Sequence, residues 1–179
     1  MSRLLKFTAL LLLPCLLAAQ QADEELISWS ETRKLTWDDY KGSPNPNSDA
    51  AATTATYLII SYNFNNGNFS YKIESKFSRT RSWGLHKTAY ILSHEQGHFD
   101  IAEVFARKLH KKMSAYVFNR RTYQKELKKI YQDILDEKEE MQNKYDKETN
   151  HSINKEKQAE WLRKIETMLK ETKAWADYQ

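Results

Sequence analysis

Gly97 is the last glycine or proline in a chain of 179 residues, and this one feature constrains the fold more than any other. Gly and Pro are the residues that punctuate a backbone, and from about Lys87 onward the chain is instead rich in Lys, Glu, Gln and Leu, which lose little freedom in a helix. The second half is therefore expected to be helical. Apolar periodicity separates three helices there. The first runs from about His86 to Met113. The second carries Tyr123, Leu127, Ile130, Ile134, Met141 and Tyr145 at spacings of three, four or seven, and the third carries Trp161, Leu162, Ile165, Leu169 and Trp175. Between the last two, the polar stretch from Tyr145 to Ser152 reads as a turn with an N-cap at Asn150 or Ser152.

The first half has a different texture. Leu26 to Tyr40 is short and aromatic-rich, with Trp29, Leu35, Trp37 and Tyr40, and leads into the breaker cluster from Gly42 to Asn47. It reads as a strand or turn. Thr53 to Phe64 is rich in Thr, Tyr and Ile, and from Phe69 to Phe77 apolar and polar side chains alternate. Asn65, Asn66, Gly67 and Asn68 lie between these runs, which is the pattern of a β-hairpin. A small antiparallel sheet followed by a three-helix region gives an α+β class. With only 4 Gly and 3 Pro, collagenous and low-complexity architectures are excluded, and the chain is large enough for one core.

Residues 1–19 are expected to lie outside that fold. Arg3 and Lys6 precede an apolar run from Phe7 to Leu17 that ends in Ala18 and Ala19, the layout of a signal peptide cleaved after Ala19. The run is shorter than the roughly 20 residues a transmembrane helix requires, so no stable membrane insertion is expected after cleavage. The single domain would span 20–179, in a secreted or periplasmic protein. Cleavage removes Arg3 and Lys6, taking the formal charge from +4 to +2, and with them Cys15, the one cysteine. Disulfides then cannot hold the fold, although the compartment would permit them. Stability must come from a core, a metal or both.

The chemistry is concentrated in His94-Glu95-Gln96-Gly97-His98, an H-E-x-x-H pattern. Two histidines at i and i+4 sit about 40° apart around a helix and one turn along it, so both imidazoles reach a single Zn²⁺. Glu95 projects beside the metal without ligating it and is placed to act as general base. Zinc lowers the pKa of water in its coordination sphere to near 7, which makes a nucleophile available at neutral pH. The pattern arises by chance in about one such sequence in a hundred. It also lies inside an apolar-periodic helix, so chance is a weak rival.

A third ligand is not given by the motif. On a continuous helix, with His94 at zero, Asp100 falls at about 240°, Glu103 at about 180° and His110 at about 160°, all off the metal face. His86 is about 280° around and roughly 12 Å along the axis. The other donors are Asp146, Glu148 and His151 on the polar stretch. His151 is favoured, with Asp146 next, and Glu103 if the helix bends after His98. Asp100 and Glu103 otherwise read as groups that hold a ligand imidazole or pack the helix. Tyr90, Tyr145 and Arg107 are candidates for stabilising a developing oxyanion.

These residues resemble a bacterial family, domain of unknown function 922, described as predicted secreted zinc-dependent proteases of the zincin grouping. The resemblance is carried by Trp37-Asp38-Asp39-Tyr40 with Lys41-Gly42, by Ser82-Trp83, and by His94 through Glu103 with Ala106-Arg107. It extends to Tyr145-Asp146 through Thr149, His151, Gln158 and Trp161. It implies a zincin-like fold and a zinc-dependent peptidase with Glu95 as general base and His94 and His98 as ligands. At 152 this chain has Ser where the family's pattern has Gly.

A non-enzymatic alternative is a zinc-stabilised helical binding module at the cell envelope. The Lys-rich helices could engage an anionic partner, yet Glu137, Glu139, Glu140, Glu148, Glu156, Glu160 and Glu166 are interspersed among their lysines. That mixture marks a solvated surface, and export argues against nucleic acid. The sequence therefore points to an exported zinc metallopeptidase acting on a peptide or protein, with Zn²⁺ on His94, His98 and His151.

Overall fold

A computed structural model describes residues 24–178 apart from positions 46, 66 and 67; the expected signal peptide lies outside the described residues. Strand β1 is Leu26–Ser28, β2 Ala52–Thr53, β3 Thr56–Asn65, β4 Asn68–Ser78 and β5 Trp83–Gly84. Helix α1 is Ala89–Ser114, α2 Tyr123–Thr149 and α3 Lys155–Glu171. Single 3₁₀ turns occupy Trp37–Asp39 and Lys173–Trp175. The architecture is α+β, a small antiparallel sheet followed by three helices.

The expected hairpin is β3 and β4, in register from Thr56 opposite Phe77 to Asn65 opposite Asn68. β1 adds to the other side of β4, giving the order β1-β4-β3, while β2 and β5 form a separate two-stranded ribbon. The period-2 alternation of β4 puts Phe69, Tyr71, Ile73 and Phe77 toward the helices, with Ile73 and Phe77 fully buried. Against that face lies α1, whose Ile101, Phe105 and Leu109 are buried with Leu58 and Ile73 of the sheet, Leu127 and Ile134 of α2, and Ile165 of α3. α1 is thus enclosed by the sheet and by both other helices. A helix so enclosed cannot shift without opening the core, and it carries the His-Glu motif.

Local boundaries differ from the expectation at the end of α3, where Trp175 falls on the separate 3₁₀ turn, and at the α2–α3 connection. The stretch from Tyr145 to Thr149, expected to be a turn, is the last turn of α2, whose C-cap is Asn150 at φ 49°. The N-cap of α3 is Asn154, whose side chain accepts from Lys157 N, rather than Asn150 or Ser152. Polarity is misleading there because an exposed helical turn is as polar as a loop. Asp146 consequently stands on a helix, with its direction fixed.

Candidate metal centre

α1 starts at Thr88, whose side chain accepts from Ile91 N. Six residues past this cap is His94, and one turn further is His98. Their rings stand 4.8 Å apart between centroids at 87°, with the two Nε2 atoms 3.2 Å from one another. The last turn of α2 brings in Asp146, whose Oδ1 is 3.0 Å from both Nε2 atoms. Among the described residues, His94, His98 and Asp146 form the group of donors able to hold a metal ion. Ligands about 2.0–2.1 Å from a tetrahedral ion are about 3.3 Å from one another, close to the spacing of these three atoms.

The protonation pattern fits the same purpose. Gln142, one turn before Asp146 on α2, donates from Nε2 to the backbone carbonyl of His98 at 2.9 Å, so its Oε1 must be the acceptor facing His98 Nδ1 at 2.5 Å. The proton of a neutral His98 therefore sits on Nδ1, and Nε2 turns a lone pair toward the carboxylate. Two such lone pairs at 3.0 Å repel unless a proton or a cation stands between them. Burial opposes charge on Asp146, but the bonds from His94 and His98 outweigh it and hold its carboxyl well below the ordinary range. Burial likewise lowers the His98 pKa while Asp146 raises it, and the net shift is upward. The ionised carboxylate draws positive charge to the space between itself and the rings, a proton that a divalent cation would displace on binding. His94 has no counterpart to Gln142: among the described residues its buried Nδ1 has no partner, and its ring is stacked on Tyr145 at 4.4 Å.

Glu95 is buried in the same cleft and is held from the side opposite the helices. Thr54, just after β2, donates to Glu95 Oε2 at 2.6 Å and accepts from the Tyr40 hydroxyl at 2.8 Å. Burial first, and then the Glu95 charge, push the Tyr40 pKa far up, so the phenol keeps the proton it donates. Tyr40 is aimed by the 3₁₀ turn before it. There Asp39 accepts from Thr36 N at 2.9 Å and from Arg33 Nη2 at 2.6 Å. The cleft encloses about 410 Å³, with the segment 50–54 as one wall and α2 as the other.

His151, favoured from sequence as the third ligand, lines this cleft but stands outside the three-donor group. Its side chain is 69% exposed and its Nδ1 is 3.7 Å from Asp146 Oδ1. The cause is the chain reversal after α2, where Asn150, His151 and Ser152 have φ of 49°, 50° and 73°. Each such residue costs roughly 1–2 kcal/mol when it is not glycine. A glycine would carry such a φ without strain, and this chain has Ser at 152. Asp146, the second candidate, occupies the position expected of His151.

Glu103 is excluded by the helix geometry. α1 is continuous, and Glu103 faces the other side, buried against Tyr178 and accepting from Arg107 Nε at 2.8 Å. Arg107 also donates to the Leu169 carbonyl, which removes it from the oxyanion candidates. Tyr145 is engaged too, donating to the His94 carbonyl at 3.2 Å. Among the described residues Asp100 holds no imidazole: it accepts from Trp29 Nε1 and Gln96 Nε2, tying the N-terminal segment to α1. Gln142 and Thr54 are not marked by any motif. The signal that points to Gln142 is its place at i−4 from Asp146, on the same face of α2.

Fold and site together define a small α+β domain whose central helix offers two histidines and a glutamate to a carboxylate on the neighbouring helix. Residues 19–152 match a family described as bacterial protein of unknown function (DUF922), and the chain belongs to that family. The match takes in all the residues of the site, from Tyr40 to His151. No curated protein and no solved structure matches the chain.

Proposed function

We propose that this protein is an exported zinc-dependent metallohydrolase, a zincin-type peptidase that cleaves amide bonds. The observation that carries the reading is the convergence of His94 Nε2, His98 Nε2 and Asp146 Oδ1 within 3.2 Å of one another beside a buried Glu95. Zn²⁺ held by His94, His98 and Asp146 would acidify water and polarise a carbonyl. Glu95 takes the proton of the attacking water as its oxygen bonds to the amide carbon, and returns it to the leaving nitrogen as the C–N bond breaks. Thr54 keeps the Glu95 carboxylate turned into the cleft, and Tyr40 keeps Thr54 donating. The wall at 50–54 gives an extended peptide a surface to lie along. The apolar N-terminal run and the absence of cysteine beyond it support a secreted or periplasmic location.

The test is metal analysis of the purified protein with its Glu95→Gln and His94→Ala variants, followed by digestion of a mixed peptide library. The wild type should retain one zinc and cut peptides, Glu95→Gln should retain zinc without cutting, and His94→Ala should lose both. Failure of the wild type to bind stoichiometric zinc under metal-replete conditions refutes the proposal. Zinc binding with no cleavage of any peptide or amide would make the site structural.

A further inference from the structure

The far end of α1 from the metal centre carries a second surface feature. Some 16 residues, or about 24 Å of helix, separate His98 from the end of α1, where the loop 115–122 meets the tip of the β3–β4 hairpin. Phe118 stacks on Phe69 at 5.3 Å, and Phe64 lies 5.4 Å from Phe118 and 5.0 Å from Tyr123. The loop is built rather than slack. Tyr116 N donates to the Met113 carbonyl, Tyr123 N to the Asn119 carbonyl, and Arg121 N to Asn119 Oδ1. On this platform Val117 is 84% exposed and Phe64 48%.

Charge is segregated at the same place. Residues 111–129 contain Lys111, Lys112, Arg120, Arg121, Lys125, Lys128 and Lys129 against the single acid Glu126, a local charge of +6 that exceeds the whole chain's +4. Glu126 accepts from Tyr116, while Lys112 and Lys129 pair with Glu137 and Asp133. Arg120 and Arg121, three and four residues after Val117 in the same loop, are exposed, and the stretch from Ser61 to Tyr71 has no charged residue.

We infer that this tip docks the protein onto the surface of an anionic phospholipid bilayer, with Val117 and Phe64 at the headgroup boundary and Arg120 and Arg121 on the lipid phosphates. A soluble polyanion would account for the basic side chains alone. Phe69, Tyr116 and Tyr123 pack against the core, and Val117 and Phe64 are left exposed on them, an apolar pair next to basic side chains that an apolar phase would cover. Basic side chains at an anionic membrane and a shallow apolar wedge act together, since neither signal alone holds a protein at the surface. Docked in this way, the tip would leave the metal centre about 24 Å of helix away along α1. The inference does not depend on the activity proposed for that cleft.

The test is flotation of the purified protein with vesicles of phosphatidylcholine alone and of phosphatidylcholine with phosphatidylglycerol, comparing the wild type with Val117→Asp and with Arg120→Glu/Arg121→Glu. All three share the same N-terminal run, so a difference between them belongs to the tip. The wild type should bind the anionic vesicles, weakening as salt rises. Each variant should lose at least about tenfold in partitioning, with an unchanged thermal melt and zinc content. Equal binding by all three proteins, or binding indifferent to phosphatidylglycerol, overturns the inference. So does a Val117→Asp protein that binds as the wild type does and is displaced by a soluble polyanion, which would make the patch a polyanion site.

Discussion

The Tyr145 hydroxyl lies 2.6 Å from where a Cβ on Gly97 would stand, with the ring carbons at 3.0 Å. Tyr145 is fully buried, and its ring also packs 4.4 Å from His94 and 5.0 Å from His98. The glycine inside the His-Glu motif is therefore a docking point for α2, and the residue after Tyr145 is the one that reaches the two imidazoles. Gly97→Ala should raise intrinsic helix propensity yet destabilise the protein by about 1–3 kcal/mol through overpacking. Urea denaturation would measure this, and an unchanged midpoint would show that Tyr145 yields freely.

Asp146 and His151 make opposite predictions for metal retention. Competition against a chromophoric chelator should show Asp146→Ala losing zinc affinity by more than about a hundredfold and His151→Ala by less than about tenfold. The reverse order would restore His151 to the ligand set.

Gln142 decides which nitrogen of His98 faces the cleft. Gln142→Leu keeps the bulk but leaves both tautomers open, and zinc affinity should fall by roughly 10–100-fold with the fold intact. Gln142→Glu, which can still accept from Nδ1, should lose less. Equal losses in the two variants would show that acceptance at Nδ1 is not what matters.

Thr54→Val removes the hydroxyl between Tyr40 and Glu95 at nearly constant shape. Zinc content should be unchanged while kcat falls, because only the Glu95 carboxylate is released from its donor. A loss of zinc in this variant would instead mean that Thr54 supports the ligands.

Asp39 gives the pH prediction. Burial works against its charge, but the Thr36 N–H and the Arg33 guanidinium outweigh it, so its folded pKa lies below the ordinary value. The stability it adds is fully present above the unfolded pKa of about 3.9 and is lost as pH falls through the lower folded value. Asp39→Asn should cost about 1–3 kcal/mol at neutral pH and flatten the acid limb of the stability curve below about pH 4. Thermal melts between about pH 3 and 7 would show it.

The chain order of elements is legible in the sequence because it rests on local signals. The second half, free of glycine after Gly97, marks three helices, and the alternation from Phe69 to Phe77 marks a strand. The i, i+4 histidines need only the pitch of a helix to be placed on one face. These are properties of neighbouring residues, so the sequence alone determined them. The third donor, the acceptor on His98 and the Thr54-Tyr40 support of Glu95 come from segments about 40 to 55 residues away in sequence. Which of them meet depends on how α2 and the 50–54 wall pack against α1. That packing turns on Tyr145 seating against Gly97 and on α2 running on to Thr149, whose hydroxyl bonds back to the Tyr145 carbonyl. Only the tertiary structure could decide between Asp146 and His151, because one further turn of helix points the first inward, and the left-handed reversal that follows carries the second out to solvent.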